Sequence, residues 1–149
     1  MNQITVVDAS VAIKWVVQEE FSAEAEALLD DAPTSSIVGP PALLTEVANA
    51  LYQRTRRSDP QTRLSMAQAE AALARFLGFG IRLVIAEELY QQAFAFARDR
   101  GLPNLYDSMY VVLAQQFSST LWTDDRKLLD VTWRVAPWVR WIKDYPLDQ

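Results

Sequence analysis

The sequence predicts an α/β fold, a mainly parallel sheet between helical layers. Two observations carry that prediction. Short β-branched runs alternate with helical patterns along the chain, and the first run, residues 4–7, is almost continuously apolar, as in a strand buried on both faces. With 149 residues, half of them apolar, and with neither an internal repeat nor a linker, the chain fits a single domain over residues 1–149.

The elements follow in order. Residues 4–7 are read as the first strand, and residues 11–17 as a short helix with Ser10 as its N-cap. Residues 22–29 form a second helix with Glu24 and Glu26 in its first turns, where acidic groups favour the helix dipole. Residues 35–38 are a weaker strand that Gly39-Pro40-Pro41 ends. A helix over residues 41–56 carries Leu43, Leu44, Val47, Ala48 and Leu51 on one apolar stripe, then gives way to a basic, polar loop over residues 54–63. Ser65 and Gln68 make a capping box for a helix running to Leu77, which Gly78-Phe79-Gly80 stops before a strand at residues 82–85. Residues 87–100 are helical up to Gly101. Residues 104–117 form a helix apolar almost all round, followed by a strand at 119–123, a short helix at 126–129 and a last strand at 138–142.

Composition excludes several chemistries. Without Cys there is no thiolate nucleophile, disulfide or zinc-thiolate site, and without His there is no Ser-His-Asp triad and no imidazole base. Catalysis therefore falls to carboxylates, Lys, Tyr or a bound metal. No apolar run reaches the length of a membrane span, because Asp8 and Lys14 interrupt the richest one, and no signal peptide leads the chain. The expectation is a cytoplasmic protein without a membrane partner. Nineteen acidic against 14 basic residues give a net charge of −5, which argues against a general phosphate-binding surface but not against local patches.

The carboxylates concentrate where such a sheet binds ligands, outside the carboxyl ends of its strands. Asp8 follows the first strand, and Asp124 and Asp125 follow the strand at residues 119–123. An Asp in that position is also a common turn or cap residue. Asp107 projects between Tyr110, Val111 and Ala114 and is expected to be largely buried, where an ionised carboxylate needs a distant base or a metal. Glu46 lies at the edge of its helix's apolar stripe. Several carboxylates in one crevice repel one another, so either their pKa values rise or a divalent cation neutralises them. An all-oxygen site without His or Cys suits Mg²⁺ or Mn²⁺. Such ions activate water and stabilise a leaving oxygen in phosphoryl chemistry without a His base.

With these motifs in place the chain resembles the PIN-domain ribonucleases, most closely toxins of the VapC type, over essentially its whole length. The matching segments are Val7-Asp8-Ala9-Ser10 with Ile13-Lys14-Trp15, Glu46 before Asn49-Ala50-Leu51, Tyr106-Asp107-Ser108, and Thr123-Asp124-Asp125-Arg126-Lys127-Leu128. Carried over position by position, the resemblance implies metal-ligating carboxylates at Asp8, Glu46, Asp107 and Asp125, with Ser10 and Thr123 as supporting hydroxyls. The spacing from Thr123 selects Asp125, with Asp124 as the adjacent alternative. It also implies a PIN-like α/β/α sandwich, RNA cleavage with Mg²⁺ or Mn²⁺, a homodimer and a small cognate antitoxin. Arg126, Lys127, Arg54, Arg56, Arg57 and Arg63 are candidate contacts to the RNA backbone, with a solvated face as the alternative. Trp122, Trp133, Trp138 and Trp141 are expected in core or dimer packing rather than base stacking. A haloacid dehalogenase-like enzyme needs an Asp where Ser10 stands, and a receiver-like Mg²⁺-binding signalling domain needs an acidic pair where Asp8 stands alone. A non-catalytic PIN scaffold remains the third alternative.

Overall fold

A computed structural model describes residues 3–147. Five short strands, β1 (Thr5–Val7), β2 (Ile37–Gly39), β3 (Arg82–Leu83), β4 (Leu121–Thr123) and β5 (Val139–Trp141), form one parallel sheet in the order β3-β2-β1-β4-β5. Among the described residues seven α-helices lie between them: α1 (Ala9–Ala12), α2 (Ser22–Asp31), α3 (Ala42–Thr55), α4 (Met66–Gly78), α5 (Glu87–Arg100), α6 (Leu105–Gln116) and α7 (Arg126–Thr132). The predicted α/β architecture is the observed one. β1 is buried as its composition requires, with Val6 and Val7 fully covered, as are Ile37, Val38 and Leu121 in its neighbours.

The chain builds β1, β2 and β3 outward on one side, then returns to place β4 against the other side of β1. Strand order therefore reverses between β1 and β4, which leaves a crevice at their carboxyl ends. Gly39 closes β2 against α3: a Cβ there would lie 2.5 Å from Leu43 Cδ2, in a fully buried side chain. α3 is thereby seated close to the sheet, with Glu46 one turn in.

Local differences from the sequence reading have physical causes. The helix after β1 starts at Ala9 rather than Val11, and its N-cap is Asp8 rather than Ser10, because the Asp8 carboxylate accepts from the Ser10 and Val11 amides. It is only four residues long and continues as a 3₁₀ turn over Ile13–Trp15. The strand expected at 35–38 begins two residues later, since Thr34–Ser36 wind into another 3₁₀ turn in which the Ser36 hydroxyl donates to the Pro33 carbonyl. The Ser65–Gln68 capping box and the left-handed Gly101 that ends α5 are both present. Among the described residues no helix is long and apolar enough to cross a membrane.

Candidate active site

Asp8 leaves β1 directly into the crevice and is 6% exposed. Its Oδ1 accepts from the Ser10 amide at 3.1 Å, the Val11 amide at 3.3 Å and the Ser10 hydroxyl, while its Oδ2 accepts from the Thr123 hydroxyl at the end of β4. The two hydroxyls also receive the next peptide groups: the Asp124 amide donates to Ser10 Oγ at 2.8 Å, and the Asp125 amide to Thr123 Oγ1 at 2.9 Å. Ser10 and Thr123 thus fix the carboxylate and the loop after β4 together. Despite four donors, burial pushes the Asp8 carboxyl up to about 6, so desolvation outweighs its hydrogen bonds, and the nearby Asp125 charge adds to the rise.

Glu46 reaches the crevice from α3, where the Tyr110 hydroxyl donates to its Oε1 at 3.2 Å. Burial, then the Asp8 and Asp107 charges, push Glu46 up to about 7 despite that bond. Burial and the neighbouring carboxylates, led by Glu46, also push the Tyr110 hydroxyl well above its usual range, so it remains a donor. Asp107 is half-buried rather than largely buried. α6 begins only at Leu105 with Asn104 as its cap, so Asp107 sits in the first turn at the rim, and full burial runs from Ser108 to Ala114. Its pKa is raised by burial and by the Asp125 charge, against a bond from the Asn104 amide group. The interactions close a ring in which each of Asp8, Glu46, Asp107 and Asp125 repels two others. Among the described residues none of the four forms an ion pair.

The adjacent Asp124 and Asp125 have different surroundings. Asp124 Oδ2 pairs with Lys14 Nζ at 2.8 Å, and its Oδ1 accepts from Trp141 Nε1 at 2.8 Å. Asp125 caps α7, accepting from the Lys127 and Leu128 amides through Oδ1, and its charge acts on Asp8 and Asp107. Lys14 is 4% exposed and also meets Glu19 at 3.1 Å, whose other oxygen holds Arg54 at 2.7 Å. These charges line a cavity of about 380 Å³ shared with Ser10, Glu46 and Asn49.

This ion-pair chain is what sequence reasoning missed. Its signal was present: Lys14 stands alone in the apolar run Val11-Ala12-Ile13-Lys14-Trp15, and a buried cation requires an acid. The distant base considered for Asp107 goes to Asp124 instead. Tyr110, assigned only to an apolar helix, was also overlooked.

The candidate RNA contacts divide. Arg54 belongs to the last turn of α3 rather than to an exposed loop, and its charge is engaged by Glu19. Arg56, Arg57 and Arg63 are exposed, but Arg56 lies ten residues beyond Glu46, about 15 Å along the helix axis. Arg126 and Lys127 are exposed directly after Asp125. Trp122 and Trp15 are core, with Trp15 donating to the Ala25 carbonyl; Trp133 is 65% exposed, so of the core or dimer packing expected for it the core placement does not hold.

The donors of the ring are all oxygen, four carboxylates with two hydroxyls behind them, and among the described residues no cation pairs with them. Both features suit a hard divalent cation such as Mg²⁺ or Mn²⁺. In their present rotamers no three acidic side chains among the described residues surround one ion position. Glu46 is turned to Tyr110, and Asp107 to Asn104.

Comparison with known proteins finds likenesses of family, sequence and fold. The family model for the PIN domain matches residues 5–134. Ribonuclease VapC3 of Pyrobaculum aerophilum is 32% identical over 127 residues, 84% of this chain and 92% of that protein. The crystal structure of PAE2754 from Pyrobaculum aerophilum aligns with a TM-score of 0.65 over 96% of this chain and 93% of that one, at 22% identity, a likeness of fold.

Proposed function

The chain belongs to the PIN-domain family, and from that premise we propose that it is a divalent-metal-dependent endoribonuclease, the toxin of a toxin–antitoxin pair acting in the cytoplasm. The observation that carries the reading is the ring of Asp8, Glu46, Asp107 and Asp125 at the β1–β4 switch point, whose charges form no ion pair among the described residues. The name of the VapC3 relative supports ribonuclease chemistry.

In this reading the four carboxylates hold Mg²⁺ or Mn²⁺, with Asp125 rather than Asp124 as the acidic group of the β4 loop, since Asp124 is already neutralised by Lys14. The ion supplies positive charge for the phosphate and lowers the pKa of water. The remaining tasks fall to the chain. Ser10 and Thr123 orient Asp8, Tyr110 orients Glu46, and Asn104 orients Asp107. The lack of His leaves no imidazole base, which suits hydrolysis driven by the metal. A homodimer and a small antitoxin partner belong to the same reading.

The test is cleavage of total cellular RNA by wild type and Asp8→Asn with Mg²⁺, Mn²⁺ or EDTA. Asn keeps the size of the side chain but removes its charge. Cleavage that requires the ion and falls at least 100-fold in Asp8→Asn supports the nuclease. Cleavage that survives both EDTA and the substitution contradicts it, and Mn²⁺ binding without cleavage of any RNA favours a non-catalytic scaffold.

A further inference from the structure

The carboxylate ring offers an RNA strand no cation from the protein itself, so the charges that hold the flanking phosphates must lie beside it. Residues 126–143 contain five basic residues (Arg126, Lys127, Arg134, Arg140, Lys143) and one acid, Asp130. That segment carries +4 in a chain whose remainder carries −9.

Within the segment two cations converge on one ring. The Arg126 guanidinium carbon lies 4.1 Å from the Trp141 ring centroid, and Lys143 Nζ lies 4.9 Å from it. Both side chains are exposed, and among the described residues neither forms an ion pair. Each cation is drawn to the face of the ring, while the two like charges oppose one another. The arrangement therefore lacks an anion. Trp141 is itself fixed, donating to Asp124 and packing edge-on against Phe21 with centroids 5.6 Å apart. It pairs in register with Thr123, the residue whose hydroxyl donates to Asp8, and Arg126 directly follows Asp125. The cations thus stand at the rim of the carboxylate ring, Arg126 at the start of α7 and Lys143 in the 3₁₀ turn just beyond β5, the edge strand of the described sheet.

We propose that Arg126 and Lys143, steadied against Trp141, form a phosphate seat for single-stranded RNA next to the carboxylate ring. The inference rests on the nuclease reading for its choice of polyanion. Pre-positioning on an indole lowers the side-chain ordering cost of gripping a phosphodiester, and the exposed cations suit any base sequence.

The experiment separates this seat from the chemistry. A fluorescent 2′-O-methyl RNA oligonucleotide, which resists cleavage, is titrated in EDTA across a range of salt concentrations with wild type, Arg126→Ala/Lys143→Ala and Lys143→Arg. Loss of two phosphate contacts makes the log–log salt dependence of binding shallower by about 1.4, with affinity falling at least tenfold at low salt. Lys143→Arg keeps the wild-type slope. Should the double variant fail to fold, Lys143→Ala at its exposed position gives about half the slope change. A wild-type slope and affinity in the alanine variants overturns the seat and leaves an acidic protein segment as the candidate occupant, and absence of wild-type binding overturns it too. Failure of the nuclease reading has a different signature, no metal-dependent cleavage while the slope change persists.

Discussion

On one side of the β1–β4 crevice, Lys14, Glu19, Arg54 and Asp124 compensate one another through contacts of 2.7–3.1 Å. On the other side, Asp8, Glu46, Asp107 and Asp125 repel one another with no ion-pair partner among the described residues, and burial forces Asp8 and Glu46 well above the usual carboxylate range. Asp124 and Asp125 are adjacent in sequence and fall on opposite sides of this division. An acidic residue's role here follows from whether the fold supplies its counter-charge. A compensated carboxylate is part of the scaffold, whereas an uncompensated one leaves its charge open, as the proposed metal-dependent nuclease requires.

The largest expected effect comes from breaking the compensated side. Lys14→Met leaves Asp124 and Glu19 partly buried without their shared cation and costs about 3 kcal/mol, discounted for the residual exposure of the two acids. That corresponds to a drop of about 10 °C in melting temperature, measurable by calorimetry. A melt unchanged within 2 °C would mean that solvent already compensates the two acids.

Next in size is the pH dependence of the uncompensated side. The folded protein holds protons on Asp8 and Glu46 that the unfolded chain, with ordinary carboxyls, releases. Their stabilising contribution is full below about pH 4 and is lost as pH rises through 6 to 7. For the buried Asp8 the rise from 3.8 to about 6 corresponds to about 2–3 kcal/mol; the half-buried Glu46 adds less. Metal-free protein is therefore more stable in urea at pH 5 than at pH 8, and Mn²⁺ restores the difference at pH 8. The opposite slope between those pH values would show that cations already balance the ring.

Gly39→Ala tests the seating of α3. Its added Cβ forces Leu43 aside in a filled core and costs about 1–2 kcal/mol, read as a shift of the urea midpoint at constant slope. A smaller effect follows from Asp125→Asn. Asn still caps α7 but removes two repulsions, so the metal-free variant gains about 1 kcal/mol at pH 8. Chemical denaturation at pH 8 checks the sign; a loss of stability would make Asp125 a structural acid like Asp124.

The sequence disclosed the parallel sheet, the position of every strand to within a few residues and four acids whose charges act on one another near its switch point. It did so because β-branched runs, caps and strand-end carboxylates are local patterns. It could not disclose that Asp8 caps its own helix, that Asp107 stays at the rim, or that Tyr110 turns to Glu46, because these depend on where helices begin and which faces meet. The Lys14–Asp124 pair spans 110 positions and no local pattern encodes it, although a lone lysine in an apolar run required some acid. The carboxylates were legible as types and positions, whereas their division into compensated and uncompensated sets became visible only with the cations in place.

The most direct test of that division is calorimetric titration of Mn²⁺ into wild type, Asp125→Asn and Asp124→Asn at pH 7.5, each corrected for its folded fraction. Asp125→Asn is expected to weaken Mn²⁺ binding by roughly tenfold or more, while the folded fraction of Asp124→Asn binds close to wild type. Equal losses in both variants, or a loss confined to Asp124→Asn, would contradict it.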